Sequence, residues 1–309
     1  MSVEISRRRF LAQLGLATAT LPLAAAAPKS IPSFFLPSTI KLGYSAITWG
    51  GNDAQAIQEI SSLGFTGIQL RANAYKEYGQ KPEELKRLLS QAKLELAMFS
   101  SGNANINTGD DQKIIDQHVA HAQFVKALGG KYIQITNSSR PKDGSAPKEE
   151  DLVKYGQLLT QIGKRTLPLG VEVAYHNHMH QLGEKPREVE TILKNTDPKF
   201  VSFLLDVAHY QQGGGDPVAA VRQYKNRLRA LHIKDVRDKH ALDPGKAYQF
   251  VELGQGRVDF PGLFAALKEV KFKGYAIVEL DAVPEKNRTP LESGQMSKNY
   301  LKNQLKISN

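Results

Sequence analysis

The sequence contains no cysteine. The chain can therefore form no disulfide, carry no lipoprotein anchor and offer no thiolate to a metal ion, and the lack of thiols suits an oxidising compartment. Any metal site in this protein must be built from histidine, aspartate and glutamate side chains.

Beyond its N-terminal region the sequence lacks an apolar run of the roughly 20 residues that a membrane-spanning helix needs. Near the N-terminus, Arg7 and Arg8 form a twin arginine before an apolar run at 11–23, and small residues follow at 24–27. This pattern is typical of a cleaved twin-arginine export signal over residues 1–27. A permanent membrane anchor is the alternative, but the run is too short for it. We therefore expect a periplasmic or otherwise exported protein without a stable membrane anchor after processing.

A concentrated block of positive charge is also missing. The formal net charge is +10, and removal of residues 1–27 takes away three arginines and one glutamate, which leaves +8. Lysines and arginines alternate with acids along the chain, as at 81–93, instead of forming the stripe or tail of a nucleic-acid-binding protein. This distribution favours solvated helix faces and argues against a nucleic-acid partner.

No stretch rich in proline, glycine and serine divides residues 28–309, which we expect to form one domain. Short β-branched or aromatic runs alternate there with longer stretches that have the apolar spacing of helices. The predicted strands are 41–47, 67–71, 94–99, 131–136, 170–175, 200–205, 228–233 and 274–280. The predicted helices are 53–63, 82–92, 111–128, 148–167, 186–193, 217–224, 260–270 and a last one after Pro290.

Eight strand–helix units predict parallel strands joined by right-handed crossovers, and eight such units close into a (β/α)8 TIM barrel of the α/β class. A doubly wound open sheet is the alternative, but no glycine-rich phosphate loop follows the first strand at 44–50. In a barrel the chemistry lies at the C-terminal ends of the strands. Those ends are therefore the place to look for functional side chains.

Histidines and acids are concentrated at four consecutive strand ends, at 175–180, 206–209, 232–235 and 279–281. A single histidine at such a position is commonly just a hydrogen-bonded polar residue. Four neighbouring strand ends of this kind indicate a cation, because unpaired buried charge costs several kcal/mol. Imidazole and carboxylate ligands suit Mn, Co, Fe, Zn or Mg. Manganese is favoured, because the twin-arginine route exports folded proteins and so permits metal loading in the cytoplasm.

The order of these motifs resembles the xylose isomerase-like TIM-barrel superfamily of sugar phosphate isomerases and epimerases. The motifs are Tyr-His-Asn-His at 175–178, Leu-Leu-Asp-Val-Ala-His at 204–209, Leu-His-Ile-Lys-Asp at 231–235 and Val-Glu-Leu-Asp at 278–281. A Gly-Gln-Gly-Arg-Val-Asp-Phe segment at 254–260 resembles the family's GxGxxD segment. The Tyr-His-Asn-His form is closer to the inosose dehydratase-like branch.

The resemblance implies one divalent metal ion held by Asp206, His232, Glu279 and a residue of the fifth strand. Many relatives carry Glu-Asn-His at that strand, which puts His176 in the place of the glutamate and leaves His178 as the alternative ligand. The substitution also affects the expected reaction. The sugar epimerases of the family transfer protons with two glutamates, and this sequence has a histidine at one of those two positions.

The chemistry implied is proton removal next to a ketone, through an enediolate that a cation stabilises. Glu279 is the candidate base as well as a ligand, with a ligand-only role as the alternative, and His209 is the candidate for proton transfer or for binding a substrate hydroxyl. The remaining candidates would bind the substrate: His178, Lys234, Arg237 and Trp49. We expect an isomerase or epimerase acting on a ketose- or inosose-like carbohydrate.

Three other functions remain open at this stage. A dehydratase or lyase acting on keto-polyols or 3-keto-glycosides would use the same first step. A non-catalytic sugar-binding barrel would be marked by lost ligands, which this sequence does not show. The endonuclease IV relatives of the barrel need histidines after strands two and three, and the segments 69–73 and 99–103 have none. A homo-oligomer is compatible with the sequence.

Overall fold

The computed structural model describes residues 39–239 and 247–307. The predicted export signal over residues 1–27 and the histidine at position 240 lie outside the described residues. Within the described ranges, no helix combines the length and the apolarity needed to cross a membrane.

Eight parallel strands close into a barrel, so the predicted TIM barrel is confirmed. Going round the barrel, the order is β1, β10, β7, β6, β5, β4, β3, β2 and back to β1. The barrel strands are β1 (Ile40–Ser45), β2 (Gly67–Arg71), β3 (Glu95–Asn103), β4 (Tyr132–Thr136), β5 (Glu172–His176), β6 (Val201–Asp206), β7 (Leu228–Ile233) and β10 (Gly274–Val278). The predicted strand over 94–99 is four residues too short at its C-terminal end, and the other ends agree within two residues.

Within the described residues, eight α-helices match the predicted helical segments, and two short α-helices were not predicted. The predicted ones are α1 (Asp53–Ser62), α3 (Pro82–Gln91), α4 (Asp111–Ala127), α5 (Glu149–Thr166), α6 (Pro186–Lys194), α8 (Pro217–Gln223), α9 (Phe260–Glu269) and α10 (Pro290–Asn299). The additional ones, α2 (Ala72–Tyr78) and α7 (Val207–Gln212), begin directly where β2 and β6 end. They have seven and six residues, too few for a helical apolar pattern to stand out.

A two-stranded antiparallel hairpin follows β7 at the C-terminal end of the barrel. It pairs β8 (Asp235–Asp238) with β9 (Tyr248–Val251). The Asp235 carboxylate accepts backbone N–H groups of Gly254 and Gly256 at 2.9 and 2.8 Å, and of two further residues, Val236 and Val258. The glycine-containing segment at 254–260 therefore folds around a carboxylate of the hairpin.

The lower interior of the barrel is filled by a small apolar cluster taken from five strands: Ala97, Met98, Ala174, Leu204, Ala230 and Ile277. A larger apolar core packs the outer faces of the strands against the helices. Side chains two residues further along a strand point to the same side. The residues two positions after the last four members of the interior cluster therefore form the next layer, and they are His176, Asp206, His232 and Glu279.

Candidate metal centre

The four side chains predicted to hold a metal converge inside the C-terminal end of the barrel. His176 Nε2 is 3.7 Å from Asp206 Oδ2, and His232 Nδ1 is 3.5 Å from the same oxygen. His232 Nδ1 is also 3.2 Å from Glu279 Oε1. One donor atom from each of the four residues lies within 4.8 Å of all the others, and all four residues are buried.

The donor atoms that face one another have the properties of metal ligands. Among the described residues, His176 Nε2, His232 Nδ1 and Asp206 Oδ2 are buried without a hydrogen-bond partner. Ligand atoms held about 2.0 to 2.2 Å from a tetrahedral cation are separated from one another by about 3.4 Å. The three separations given above, 3.2 to 3.7 Å, are close to that spacing. A buried set of two imidazoles and two carboxylates thus fits one divalent cation.

Gln134 orients the imidazole of His176. The Gln134 amide nitrogen lies 2.9 Å from His176 Nδ1, while its Oε1 is buried without a partner among the described residues. With the amide rotated by half a turn, Oε1 accepts a proton from Nδ1, and Nε2 keeps the lone pair that a metal needs.

Gln69 orients two other candidate ligands at once. Its Oε1 lies 2.9 Å from His232 Nε2, and its Nε2 donates to Glu279 Oε2 at 3.1 Å. His232 therefore carries its proton on Nε2 and turns Nδ1 towards the cluster. Sequence analysis missed both Gln69 and Gln134. The available signal was a glutamine at the centre of an otherwise apolar strand, in Gly-Ile-Gln-Leu and Tyr-Ile-Gln-Ile.

Asp206 is fixed by the backbone around it. Its Oδ1 accepts the backbone N–H of His209 at 2.9 Å and so caps the N-terminus of α7. The side chain of Asn177 bonds to both the N–H and the carbonyl of Asp206. With Oδ1 engaged, Oδ2 is left to face the cluster.

The charges of the cluster are strongly coupled. Burial alone lowers the pKa of His232, but the carboxylates of Glu279 and Asp206 outweigh burial and raise that pKa to about 9. Burial also lowers the pKa of His176, to about 4, although Asp206 acts in the opposite direction. Without a metal, a proton on His232 thus lies between two carboxylates. A divalent cation would displace that proton on binding.

Lys234 brings a permanent positive charge to the edge of the cluster. This lysine is fully buried, and its Nζ is 2.6 Å from Asp281 Oδ1, 3.3 Å from Glu279 Oε1 and 3.8 Å from Asp206 Oδ2. Burial acts against its charge, but Asp281, Glu279 and Asp206 raise the pKa of Lys234 above its ordinary value. The ammonium group is therefore charged. Sequence analysis assigned no role to Asp281, its nearest partner.

His178 and His209 lie together beside the cluster. Their rings are 3.8 Å apart, and His178 Nδ1 lies 2.6 Å from the Met179 carbonyl. His209 accepts the Met179 N–H at Nδ1, and its Nε2 is 3.3 Å from Lys234 Nζ. In the structure, the fifth-strand residue of the candidate ligand set is therefore His176 and not His178. His178 and His209 are left next to the space a substrate would occupy.

The family model for the xylose isomerase-like TIM barrel matches residues 57–300 of this chain. The chain belongs to the xylose isomerase-like TIM barrel family. Among curated proteins, an inosose dehydratase of Lacticaseibacillus casei strain BL23 is 27% identical over 298 residues, which cover 86% of this chain and 96% of that protein. An inosose dehydratase of Mesomycoplasma hyopneumoniae strain J is 28% identical over 295 residues, covering 85% and 95%. The resemblance inferred from the strand-end motifs is confirmed.

Solved structures of the same fold come from several enzymes. The IOLI protein with a binding zinc atom superimposes with a TM-score of 0.70 at 20% identity, covering 86% of this chain and 98% of that one. A D-tagatose 3-epimerase-like protein gives a TM-score of 0.66 at 18% identity, covering 85% and 97%. At these identities the likeness concerns the fold. The two curated relatives named above are inosose dehydratases.

Two residues predicted to bind substrate make other contacts in the structure. Trp49 is buried, donates its indole N–H to Glu59 at 2.6 Å and packs edge-on against Tyr44. The Arg237 guanidinium contacts Gln249 and Glu285 on the hairpin side, at 3.0 and 3.1 Å, and is well exposed. Neither set of contacts reaches the candidate ligands. The structure therefore shows a packing contact for Trp49 and a rim position for Arg237, and their predicted contact with substrate stays a prediction.

Proposed function

We propose that this protein is a metal-dependent carbon–oxygen lyase that acts on a keto-polyol or a keto-glycoside. The proposed reaction removes a proton next to the ketone and then expels the oxygen substituent on the following carbon. The observation that carries the proposal is a buried ligand set with two carboxylates, Asp206 and Glu279, whose fifth-strand member is an imidazole, His176.

A divalent cation held by His176, Asp206, His232 and Glu279 would polarise the ketone and a neighbouring hydroxyl, which makes the adjacent C–H more acidic. Glu279 accepts that proton at a carboxylate oxygen. Gln69 steadies this carboxylate through its hydrogen bond to Oε2. Manganese is the ion we propose, on the export argument above.

The same carboxylate completes the elimination. As the C–O bond breaks, the departing oxygen takes the proton that Glu279 received, so water or an alcohol leaves and no oxidant or reductant is needed. The Lys234 ammonium, 3.3 Å from Glu279 Oε1, adds a positive charge that stabilises negative charge developing on the substrate. His209, in contact with Lys234, is the further group that can bind a substrate hydroxyl.

Epimerisation needs a second proton-transfer group, and His176 does not supply it. A proton returned to the opposite face of the carbon has to come from a second group on that face. The fifth-strand position holds His176, whose Nδ1 is engaged by Gln134 and whose pKa burial lowers to about 4. The curated dehydratase relatives also support elimination. Isomerase or epimerase chemistry remains the second candidate, because it shares the proton-removal step.

The test is to incubate metal-loaded protein with inososes, ketoses and 3-keto-glycosides in heavy water, and to follow both deuterium uptake and product formation. The proposal predicts release of water or alcohol and an unsaturated ketone. Deuterated starting material or its epimer, without elimination, would instead establish the isomerase or epimerase. If metal-loaded protein binds these compounds without exchange or turnover, the enzyme proposal is wrong and a sugar-binding barrel is left.

A further inference from the structure

A cavity of about 740 Å³ opens beside the candidate metal centre, between the loop after β5, the β8–β9 hairpin and the loop after β10. Its inner side is formed by His178, His209 and Asp281. Because Asp281 and His209 both line the cavity and contact Lys234, the cavity borders the reaction site. It is therefore the space into which the far end of a bound substrate would project.

The outer part of this cavity is lined mainly by apolar side chains: Met179, Tyr248, Phe250, Val283 and Pro284. Tyr248 and Phe250 are two residues apart on β9 and so face the same side of the hairpin. Their rings meet edge to face, 5.4 Å apart, and Phe250 also packs against His209 at 4.8 Å. The hairpin thus places two aromatic rings next to His209, at the edge of the reaction site.

The volume of the cavity indicates the size of the group that it can bind. Cavities of roughly 300 to 1,000 Å³ enclose molecules of drug size, with apolar and aromatic walls and a few polar groups. A single sugar ring bound at the metal centre would leave most of the cavity to water, against aromatic surface that water solvates poorly.

We propose that this cavity is a subsite for a flat, apolar leaving group, so that the substrates are keto-glycosides with an aromatic aglycone. This inference rests on the proposed lyase function, because the aglycone is the group that departs. An apolar ring packs against Tyr248 and Phe250, while the glycosidic oxygen lies towards Lys234 and His209. The hairpin then selects substrates by their aglycone and not by the sugar alone.

The experiment compares 2-phenylethyl and ethyl 3-keto-glucosides, whose leaving alcohols have similar chemistry but differ in the apolar ring. We expect kcat/KM to be at least ~10-fold higher for the 2-phenylethyl compound, the scale on which an apolar pocket discriminates. Tyr248→Ala is expected to bring this ratio towards one. Tyr248→Phe is the matched variant and is expected to retain the preference, because the ring remains. Equal kcat/KM for both compounds in the parent protein would overturn the subsite.

A binding measurement separates this inference from the proposed function. Titration calorimetry with the unoxidised 2-phenylethyl and ethyl glucosides needs no turnover. Tighter binding of the 2-phenylethyl compound, lost in Tyr248→Ala, supports the subsite even if neither keto-glucoside reacts, and then only the lyase proposal fails. Equal binding of the two glucosides, together with elimination from both keto-glucosides at equal rates, leaves the lyase standing and removes the subsite.

Discussion

At the scale of single residues, the buried Lys234 ammonium offsets the negative charge of the carboxylates around it. Three carboxylates lie within 3.8 Å of its ammonium group, and the side chain has no access to solvent. Removing one partner from a buried set of charges leaves the others uncompensated, at a cost of roughly 3 to 5 kcal/mol. A divalent cation nearby would offset part of that cost.

Lys234→Met is therefore expected to lower the free energy of unfolding by about 3 kcal/mol or more without metal, and by less when metal is bound. Urea unfolding with and without added metal measures the difference. The matched control is Lys185→Met, which removes an exposed ammonium 3.3 Å from Glu184 and should change stability by at most about 0.5 kcal/mol. Equal effects of the two substitutions would contradict the charge balance described here.

The choice of ligand on the fifth strand shows what sequence can and cannot predict about single residues. The motif order pointed to His176, with His178 as the alternative, and the structure brings His176 to the cluster. The two-residue spacing from Ala174 turns His176 inward, whereas His178 lies beyond the end of β5 and its Nδ1 contacts the Met179 carbonyl. The roles of Gln69 and Asp281 could not be predicted, because they depend on partners more than 40 positions away in the chain.

At the scale of secondary structure, a buried polar cluster ties β3 to α4. The Ser101 hydroxyl lies 2.6 Å from His118 Nδ1 and 2.8 Å from His121 Nδ1. Burial lowers the pKa of His118 to about 3, so the imidazole is neutral in the folded protein. The sequence predicted a helix for both histidines, and the structure assigns them to helix packing.

The pH dependence of folding follows from that shift. The unfolded chain takes up a proton at His118 near its ordinary pKa of about 6.5, whereas the folded chain does so only near 3. Stability from this group is thus full above pH 6.5 and is lost as the pH falls, by at most about 1.4 kcal/mol per pH unit. His118→Asn should flatten the fall in stability between pH 6.5 and 4.5, although it lowers stability at pH 7.5.

Urea midpoints at pH 7.5, 6.5 and 4.5 measure this effect. His180→Asn is the matched control, because the His180 side chain is 77% exposed, and it should keep the parent's pH dependence. If His118→Asn follows the parent curve throughout, His118 does not contribute to acid destabilisation.

The elements that the sequence missed share a physical cause. The strands of the β8–β9 hairpin have four residues each, which is too short for an alternating pattern to be recognised. Asp206 is both the last residue of β6 and the N-cap of α7, so the motif at the end of the strand continues directly into a helix. Both elements lie at the functional end of the barrel, where local patterns serve the site as well as the fold.

At the scale of the whole molecule, the barrel places all candidate ligands at one end through a simple repeat of strand and helix. The eight strands were predictable because parallel barrel strands are short apolar runs separated by long amphipathic helices. The size and lining of the cavity could not be predicted, since they depend on how the hairpin lies beside two loops.

We also propose that the protein is exported through its twin arginine. Replacing Arg7 and Arg8 with lysine is expected to leave an unprocessed precursor in the cytoplasm, because the arginine pair distinguishes this signal from a general export signal. Immunoblots of cell fractions measure precursor and mature protein. Unchanged processing in a strain that lacks the folded-protein export pathway would contradict this assignment.

The most direct measurement of the central claim compares metal content and substrate deuterium exchange in the parent and in Glu279→Gln, both at saturating metal. We expect about one metal ion per chain in the parent. Glu279→Gln is expected to retain metal through its amide oxygen but to catalyse exchange roughly 10² to 10⁴ times more slowly, because the proton acceptor is gone. Metal-loaded Glu279→Gln that exchanges as fast as the parent would contradict the account, and the base would then have to be His178 or His209.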